Sequence, residues 1–320
     1  MQGIPSTISN HRMAISFGFL LPTRERVMQA QPETGAILRL AEQAEALGYD
    51  SLWAGDSLLA RPRHDPLTLL AAVAARTSRA SVGTAVLLPV LRNPVVLAQQ
   101  LATLDQISAG RLILGVGIGA DNPAIRAEFR AAGVPFEARL GRTLEGLRVC
   151  RALWSGEPVH WAGRWQLDNA VLGPVPYRAG GPPIWMGTSA PAGLLRTGKH
   201  FDGWFPLGPD AATYAARWAA VQHSAAQAGR SATVTAAMYL TVSVDDDAEE
   251  AERRLDDYLG QYYAPLPAAM MRRVQACYAG PQAGLKVWLD GFAAAGATHL
   301  VMRFVGDHLR HLETVAALRN

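Results

Sequence analysis

Gly83-Thr84-Ala85-Val86-Leu87-Leu88-Pro89 opens the most informative stretch of the chain. It continues through Arg92-Asn93-Pro94 and a helix ending Asp105-Gln106-Ile107-Ser108, into Gly110-Arg111-Leu112-Ile113-Leu114-Gly115-Val116-Gly117-Ile118-Gly119. An apolar strand is followed by a helix opened near a proline, then by a second apolar strand that runs into a glycine-rich turn. Neither strand alternates apolar with polar residues, so both sheet faces are expected to be buried, as in a parallel β-α-β unit. Glycines at the end of such a strand let another group approach the backbone closely.

The same alternation extends outward in both directions. Strands are predicted at 14–20, 51–55, 81–88, 111–116, 183–187, 203–206, 233–244 and 298–304, with helices between them over 35–47, 66–78 and 137–154. A hairpin is expected from Val159 to Leu167. Strands and helices in this order and number point to the α/β class and a (β/α)8 TIM barrel, in preference to a doubly wound sheet. The barrel would carry an insertion after strand 4, residues 119–182, and a helical lid segment after strand 7, within 245–280. The expected organisation is a disordered leader, 1–13, followed by a single barrel domain, 14–320.

The 320 residues are 49% hydrophobic and 18% charged, which supports a large core and excludes wholesale disorder. Thirty basic residues are scattered among 27 acidic ones without a basic run, so no nucleic-acid partner is expected; Arg61-Pro62-Arg63-His64 reads as a solvated loop. There is no apolar run of about 18 residues, so no membrane partner is expected either. Cys150 and Cys277 stand far apart in helix-like contexts and read as reduced, buried thiols of a cytoplasmic protein. His64, His200 and His299 are isolated, so no metal site is expected.

In a barrel, ligands meet the residues that follow each strand. Here these are Leu20-Leu21-Pro22, Asp56-Ser57, Leu88-Pro89, Gly117 to Asn122, Gly187-Thr188-Ser189, Trp204-Phe205-Pro206 and Arg303. Gly187-Thr188-Ser189 leads into a helix with Pro191 in its first turn. Free amides and hydroxyls there suit a phosphate, ordinary helix capping being the alternative. Asp56 either caps the next turn or bonds to a ligand. Trp53 and Trp185 read as core, and Trp204, at a strand end, as core or the wall of a pocket. Gly115 to Ala120 does not fit the dinucleotide fingerprint, because it closes a fourth strand rather than a first. With no nucleophile elbow and no flanking carboxylate pair, the site suits a cofactor that brings its own chemistry.

Five segments carry a resemblance: Gly48 to Asp56, Gly83 to Val86, Ala102 to Arg111, Pro183 to Ser189 and Asp202 to Pro206. In this order, between Ile15 and Phe304, they resemble the bacterial-luciferase-like monooxygenase family. The resemblance implies a barrel that binds reduced FMN or the related deazaflavin, coenzyme F-420. It implies a non-proline cis peptide at Ala85–Val86 against the cofactor ring and a phosphate seat at Gly187, Thr188 and Ser189. Further cofactor contacts are implied for Asp56, Ser57, Thr84, Gly117, Asn122 and Trp204; no catalytic residue is assigned. Many deazaflavin-dependent relatives carry histidine where this chain has Ser57, and bacterial luciferase has arginine where it has Ile118. FMN is therefore the expected cofactor, supplied reduced by a separate flavin reductase, in the monooxygenation of a small organic substrate. Deazaflavin-dependent hydride transfer and non-catalytic flavin binding are the alternatives, and a homodimer is expected.

Overall fold

A computed structural model describes residues 15–230 and 234–319. The leader expected at 1–13 lies outside the described residues, as does Thr233 at the start of the predicted seventh strand. The strands are β1 (Ser16–Leu20), β2 (Ser51–Ala54), β3 (Ser81–Thr84), β4 (Leu112–Val116), β5 (Val159–Ala162), β6 (Gln166–Ala170), β7 (Ile184–Met186), β8 (Gly203–Trp204), β9 (Thr235–Val244), β10 (Ala276–Gly280) and β11 (His299–Phe304). Eight of them close into a ring in the order β1, β2, β3, β4, β7, β8, β9, β11, every neighbouring pair parallel and β11 returning to β1. With helices connecting the strands, this is the (β/α)8 barrel that the sequence predicted.

Three details differ from the sequence reading. The predicted third strand, 81–88, ends at Thr84, and only Leu87 rejoins β4, by a bridge to Val116. The Ala85–Val86 peptide between them is cis, as the resemblance implied. The second difference is β10, an unpredicted ninth strand that pairs with Leu240–Val244, where the long β9 outruns the two-residue β8. Cys277 therefore lies on a strand rather than a helix, while Cys150 is buried on the helix Arg139–Leu153. Within 119–182, the expected hairpin forms as antiparallel β5 and β6.

Local chemistry sets the helix starts. Pro66 and Pro94 each occupy a first-turn position, where a missing N–H costs nothing. Asp65 and Asn93 accept from Thr68 N at 2.8 Å and Val95 N at 2.9 Å as N-caps. At the opposite end of the barrel, three residues of the segments that carry the resemblance act as clamps. Arg111 donates to the carbonyls of Ala74, Thr77, Ala80 and Ser108 and to the Thr77 hydroxyl. Asp50 accepts from Phe17 N at 2.7 Å, and Asp202 accepts from Ile184 N at 3.0 Å while pairing with Arg151 and Arg230.

The barrel interior is filled by Trp53 and Trp185, whose rings lie 5.3 Å apart. Their volume is accommodated by glycines on neighbouring strands: a Cβ at Gly18 or Gly83 would collide with Trp53, and one at Gly203 with Trp185. His299 meets both indoles edge-on, at 5.8 and 5.2 Å. The Trp53 indole donates to Ser51 Oγ at 2.7 Å, and the Ser51 hydroxyl lies 2.6 Å from His299 Nε2. The serine oxygen accepts from the indole, and its own proton is free to be donated to a bare Nε2 of a neutral ring. Burial agrees, pushing the His299 pKa down to about 4. His311 is held neutral in a parallel way, since its Nε2 accepts from Val244 N at 2.9 Å and burial pushes it down to about 4.

These two rings dictate an acid response. Unfolded histidines titrate near 6.5, so between that value and about 4 the folded state binds fewer protons than the unfolded one. Stability is complete above this window and falls as the pH drops through it, by up to about 1.4 kcal/mol per pH unit per histidine. Melting temperature should decline steadily from pH 7 to 4.5, and less steeply in His311→Gln. Parallel profiles for the two proteins would show that His311 is not held neutral.

Candidate functional site

The Trp53–Trp185 plug leaves room only above it, where a cavity of about 420 Å³ opens among the loops that follow the strands. That volume is within the usual range for a small-molecule site. The mouth has two chemically different halves. Ala85, Val86, Gly117 and Gly187, from the ends of the adjacent strands β3, β4 and β7, form a low wall of small groups and backbone. The glycines are dictated by the bulge: a Cβ at Gly117 would meet Val86 Cγ2 at 2.7 Å. One at Gly187 would crowd Val86 and the carbonyls of Val116 and Phe205 at 3.2 to 3.3 Å, and one at Gly115 would strike the Thr84 carbonyl. The other half is built from Arg61 and Arg63 after β2, Tyr239 on β9, and Tyr262 and Tyr263 from the segment after β9.

Carboxylates near this mouth are consumed by structure. Asp56, whose side chain is only 1% exposed, receives both Arg92 guanidinium nitrogens at 2.7 and 3.1 Å and Leu88 N at 2.9 Å. Arg92 also reaches Asp65 at 3.0 Å, so it ties the loop after β2 to the loop after β3. Glu128, fully buried on the helix Pro123–Ala131, accepts from Ser57 Oγ and Leu59 N, each at 2.9 Å, and from Leu58 N. The loop that carries Arg61 and Arg63 is thus fixed at two points.

Of the residues implied by the resemblance, the structure brings Asp56, Ser57, Ala85, Val86, Gly117, Gly187, Thr188 and Ser189 to the cavity. It does not bring the other three there. Thr84 is buried and donates to the Gly115 carbonyl at 2.7 Å, within the barrel wall. Asn122 caps the helix Pro123–Ala131 by accepting from Ile125 N. Trp204 lies fully buried on the outer face of the sheet, stacked with Tyr214 at 4.9 Å and Trp218 at 6.1 Å, and its indole donates to the Thr188 carbonyl. Ser189 does not cap the helix Pro191–His200 but donates to the Leu207 carbonyl at 2.9 Å. Thr188 Oγ1, over Gly193 in that helix's first turn, makes no hydrogen bond among the described residues.

Residues 15–313 match the luciferase-like monooxygenase family. The chain belongs to that family. It is 32% identical over 240 residues to F420-dependent glucose-6-phosphate dehydrogenase of Nocardia farcinica (strain IFM 10152), an alignment covering 72% of this chain and 69% of that protein. It is 30% identical over 240 residues to 5,10-methylenetetrahydromethanopterin reductase of Methanolobus tindarius, covering 74% and 70%. The solved F420-dependent secondary alcohol dehydrogenase, in complex with an F420-acetone adduct, superposes with a TM-score of 0.82 at 22% identity, covering 96% of this chain and 98% of that one. At that identity the superposition speaks for the fold alone. The two relatives are named as a dehydrogenase and a reductase, and this luciferase-like chain is an oxidoreductase.

The sequence reading missed much of the second half of the oxidoreductase's mouth. Arg61 and Arg63, read there as a solvated loop, line the cavity. Their closeness to the end of β2 was the available signal. Tyr262 and Tyr263 lay in the expected lid segment without being singled out, and Glu128 is 70 residues from the loop it holds, with no local pattern to mark it. Among the described residues, the cavity lining contains no histidine, cysteine, lysine or glutamate.

Two substitutions test this construction. Arg92→Met strands a carboxylate that has no other cationic partner among the described residues; such losses cost about 3–5 kcal/mol, and a large fall in melting temperature is expected. Gly115→Ala sets a methyl against a carbonyl of the adjacent strand, an overpacking worth about 1–3 kcal/mol. Wild-type denaturation curves for either variant would contradict the geometry.

Proposed function

We propose that this oxidoreductase uses a deazaflavin, coenzyme F420, and transfers a hydride to or from a small organic substrate held at the barrel mouth. The relative that is 32% identical over 240 residues is F420-dependent, and this supports the deazaflavin over the FMN expected from the sequence. The observation in this chain that carries the reading is the β3–β4–β7 wall. The cis Ala85–Val86 bulge, packed into Gly117 and Gly187, leaves a shelf without side-chain relief that fits a flat tricycle.

Ala85 and Val86 would support the ring, and Thr188 would offer its hydroxyl to a phosphate beside the first turn of the helix Pro191–His200. When bound, the deazaflavin supplies or accepts the hydride. The chain's own task is orientation and exclusion of water, for which Leu88, Ile118, Phe205 and Leu207 provide apolar walls. Any proton has few routes. Asp56 is held by Arg92, which leaves the phenols of Tyr239, Tyr262 and Tyr263 and the hydroxyls of Thr188 and Ser189 as proton-bearing groups of the lining, none with a carboxylate's basicity. Such a lining suits reduction of a substrate better than removal of a hydroxyl proton.

One observation favours a second reading, reduced FMN with oxygen: Ser57 stands where deazaflavin enzymes often have histidine, and its hydroxyl is committed to Glu128. Titrating the purified protein with each cofactor separates the two. F420 should bind at least about tenfold more tightly than FMN, and Gly187→Val should weaken it by a similar factor. Tighter binding of FMN, with oxygen uptake once it is reduced, would replace hydride transfer by monooxygenation.

A further inference from the structure

Arginines cluster about the second half of the mouth, and Glu25 is the carboxylate that acts on Arg24 and Arg63 from a distance. No carboxylate lies within 4 Å of Arg24, Arg61, Arg63 or Arg303 among the described residues, whereas Arg92 nearby holds two. Glu25, buried on this side, accepts from the Tyr258 hydroxyl and makes no ion pair with these arginines among the described residues. Arg303 is 1% exposed and bonds only to neutral partners: Tyr263 OH at 3.0 Å, Thr241 Oγ1 at 2.8 Å and Gln275 Oε1 at 3.1 Å. Tyr239, Tyr262 and Tyr263, which separate it from the cavity, face it at 4.6 to 5.4 Å from guanidinium carbon to ring centre. A guanidinium buried without an anion is costly, and a negative charge in the cavity would offset that cost.

Arg61 and Arg63 are positioned to receive such a charge. Arg61 lies 4.7 Å over the Tyr263 ring, a contact that orients its guanidinium plane without using the N–H fork, and Arg63 lies 5.8 Å over the Tyr262 ring while its side chain also hydrogen-bonds Tyr262. The loop between them is internally braced, Arg61 N donating to Ser57 Oγ at 2.9 Å and Arg63 Nε to the Arg61 carbonyl at 3.1 Å. Gly55 is required by the same arrangement, because a Cβ there would occupy the place of Arg63 Nη1. Arg63 is thereby drawn in over the end of β2. The planar donor pair of Arg61, with the Arg63 guanidinium beside it, matches a carboxylate or phosphate.

We propose that Arg61 and Arg63 form the substrate's oxyanion subsite, so that the enzyme acts on a small organic acid or phosphate ester. This rests on the reading that the β3–β4–β7 half of the mouth seats the cofactor. The subsite places the anion against the β2 and β9 side of the cavity, leaving the uncharged part of the substrate over the small-residue wall.

The test uses the full chain without cofactor. Inorganic phosphate and succinate are titrated calorimetrically into wild type, Arg61→Gln, Arg63→Gln and Arg61→Lys, and F420 affinity is measured on the same proteins. Wild type should bind at least one anion, each glutamine variant should weaken it tenfold or more, and Arg61→Lys should recover part of the loss. F420 affinity should stay within twofold. Preference for phosphate would identify phosphate esters as the substrate class, and preference for succinate carboxylic acids. The proposal is overturned if wild type binds neither anion, if the variants bind as wild type does, or if F420 affinity falls in parallel, since the arginines would then hold the cofactor's own phosphate. Intact anion binding in a chain that takes up neither F420 nor FMN would uphold the subsite and remove the cofactor reading.

Discussion

Two tryptophans packed inside a ring of eight strands set the terms for everything else in this protein. Trp53 and Trp185 fit only because Gly18, Gly83 and Gly203 face them with no side chain. Large-against-small packing of this kind is how a barrel interior is filled without voids or strain. It also determines where a ligand can go. With the middle of the barrel solid, the space that remains lies above the indoles, and Phe205, 5.0 Å from Trp53, forms part of its floor. His299, wedged edge-on against both rings, is held neutral by the same packing.

The segments that resemble the family divide into two groups with different physical duties. Asp50, Arg111 and Asp202 satisfy backbone groups at the strand starts and helix ends, far from the mouth. Gly117, Gly187 and the Ala85–Val86 bond line the cavity at the mouth. A match that spans both groups therefore reports the barrel first and the cofactor second. This is why the fold follows directly from the resemblance while the choice between deazaflavin and FMN turns on the nearer relatives and on individual positions such as Ser57.

Electrostatics at the mouth follow from which charges the architecture has already spent. Asp56 and Glu128 are committed to joining the loops after β2, β3 and β4, so neither is a free base. What is left facing the cavity is positive and phenolic. The overall charge of +3, spread over 57 ionisable basic and acidic residues, gives no hint of this local excess. Burial and pairing, not composition, create it.

The order of the eight barrel strands, the prolines that open the helices after β2 and β3, and the glycines that end β4 and β7 were legible from residue pattern alone. They depend on local propensity and on spacing along the chain, which a sequence displays directly. The cis peptide at Ala85–Val86 was expected only through the family resemblance. Tertiary structure alone decided that Trp204 faces the outer helices, that Arg61 and Arg63 turn inward, and that Glu128 holds a loop 70 residues away. Each of these depends on which side of a closed sheet a residue faces and on what distant segment meets it there. A two-residue strand such as β8 has no periodicity from which to read a face, and a contact between loops leaves no spacing in the chain.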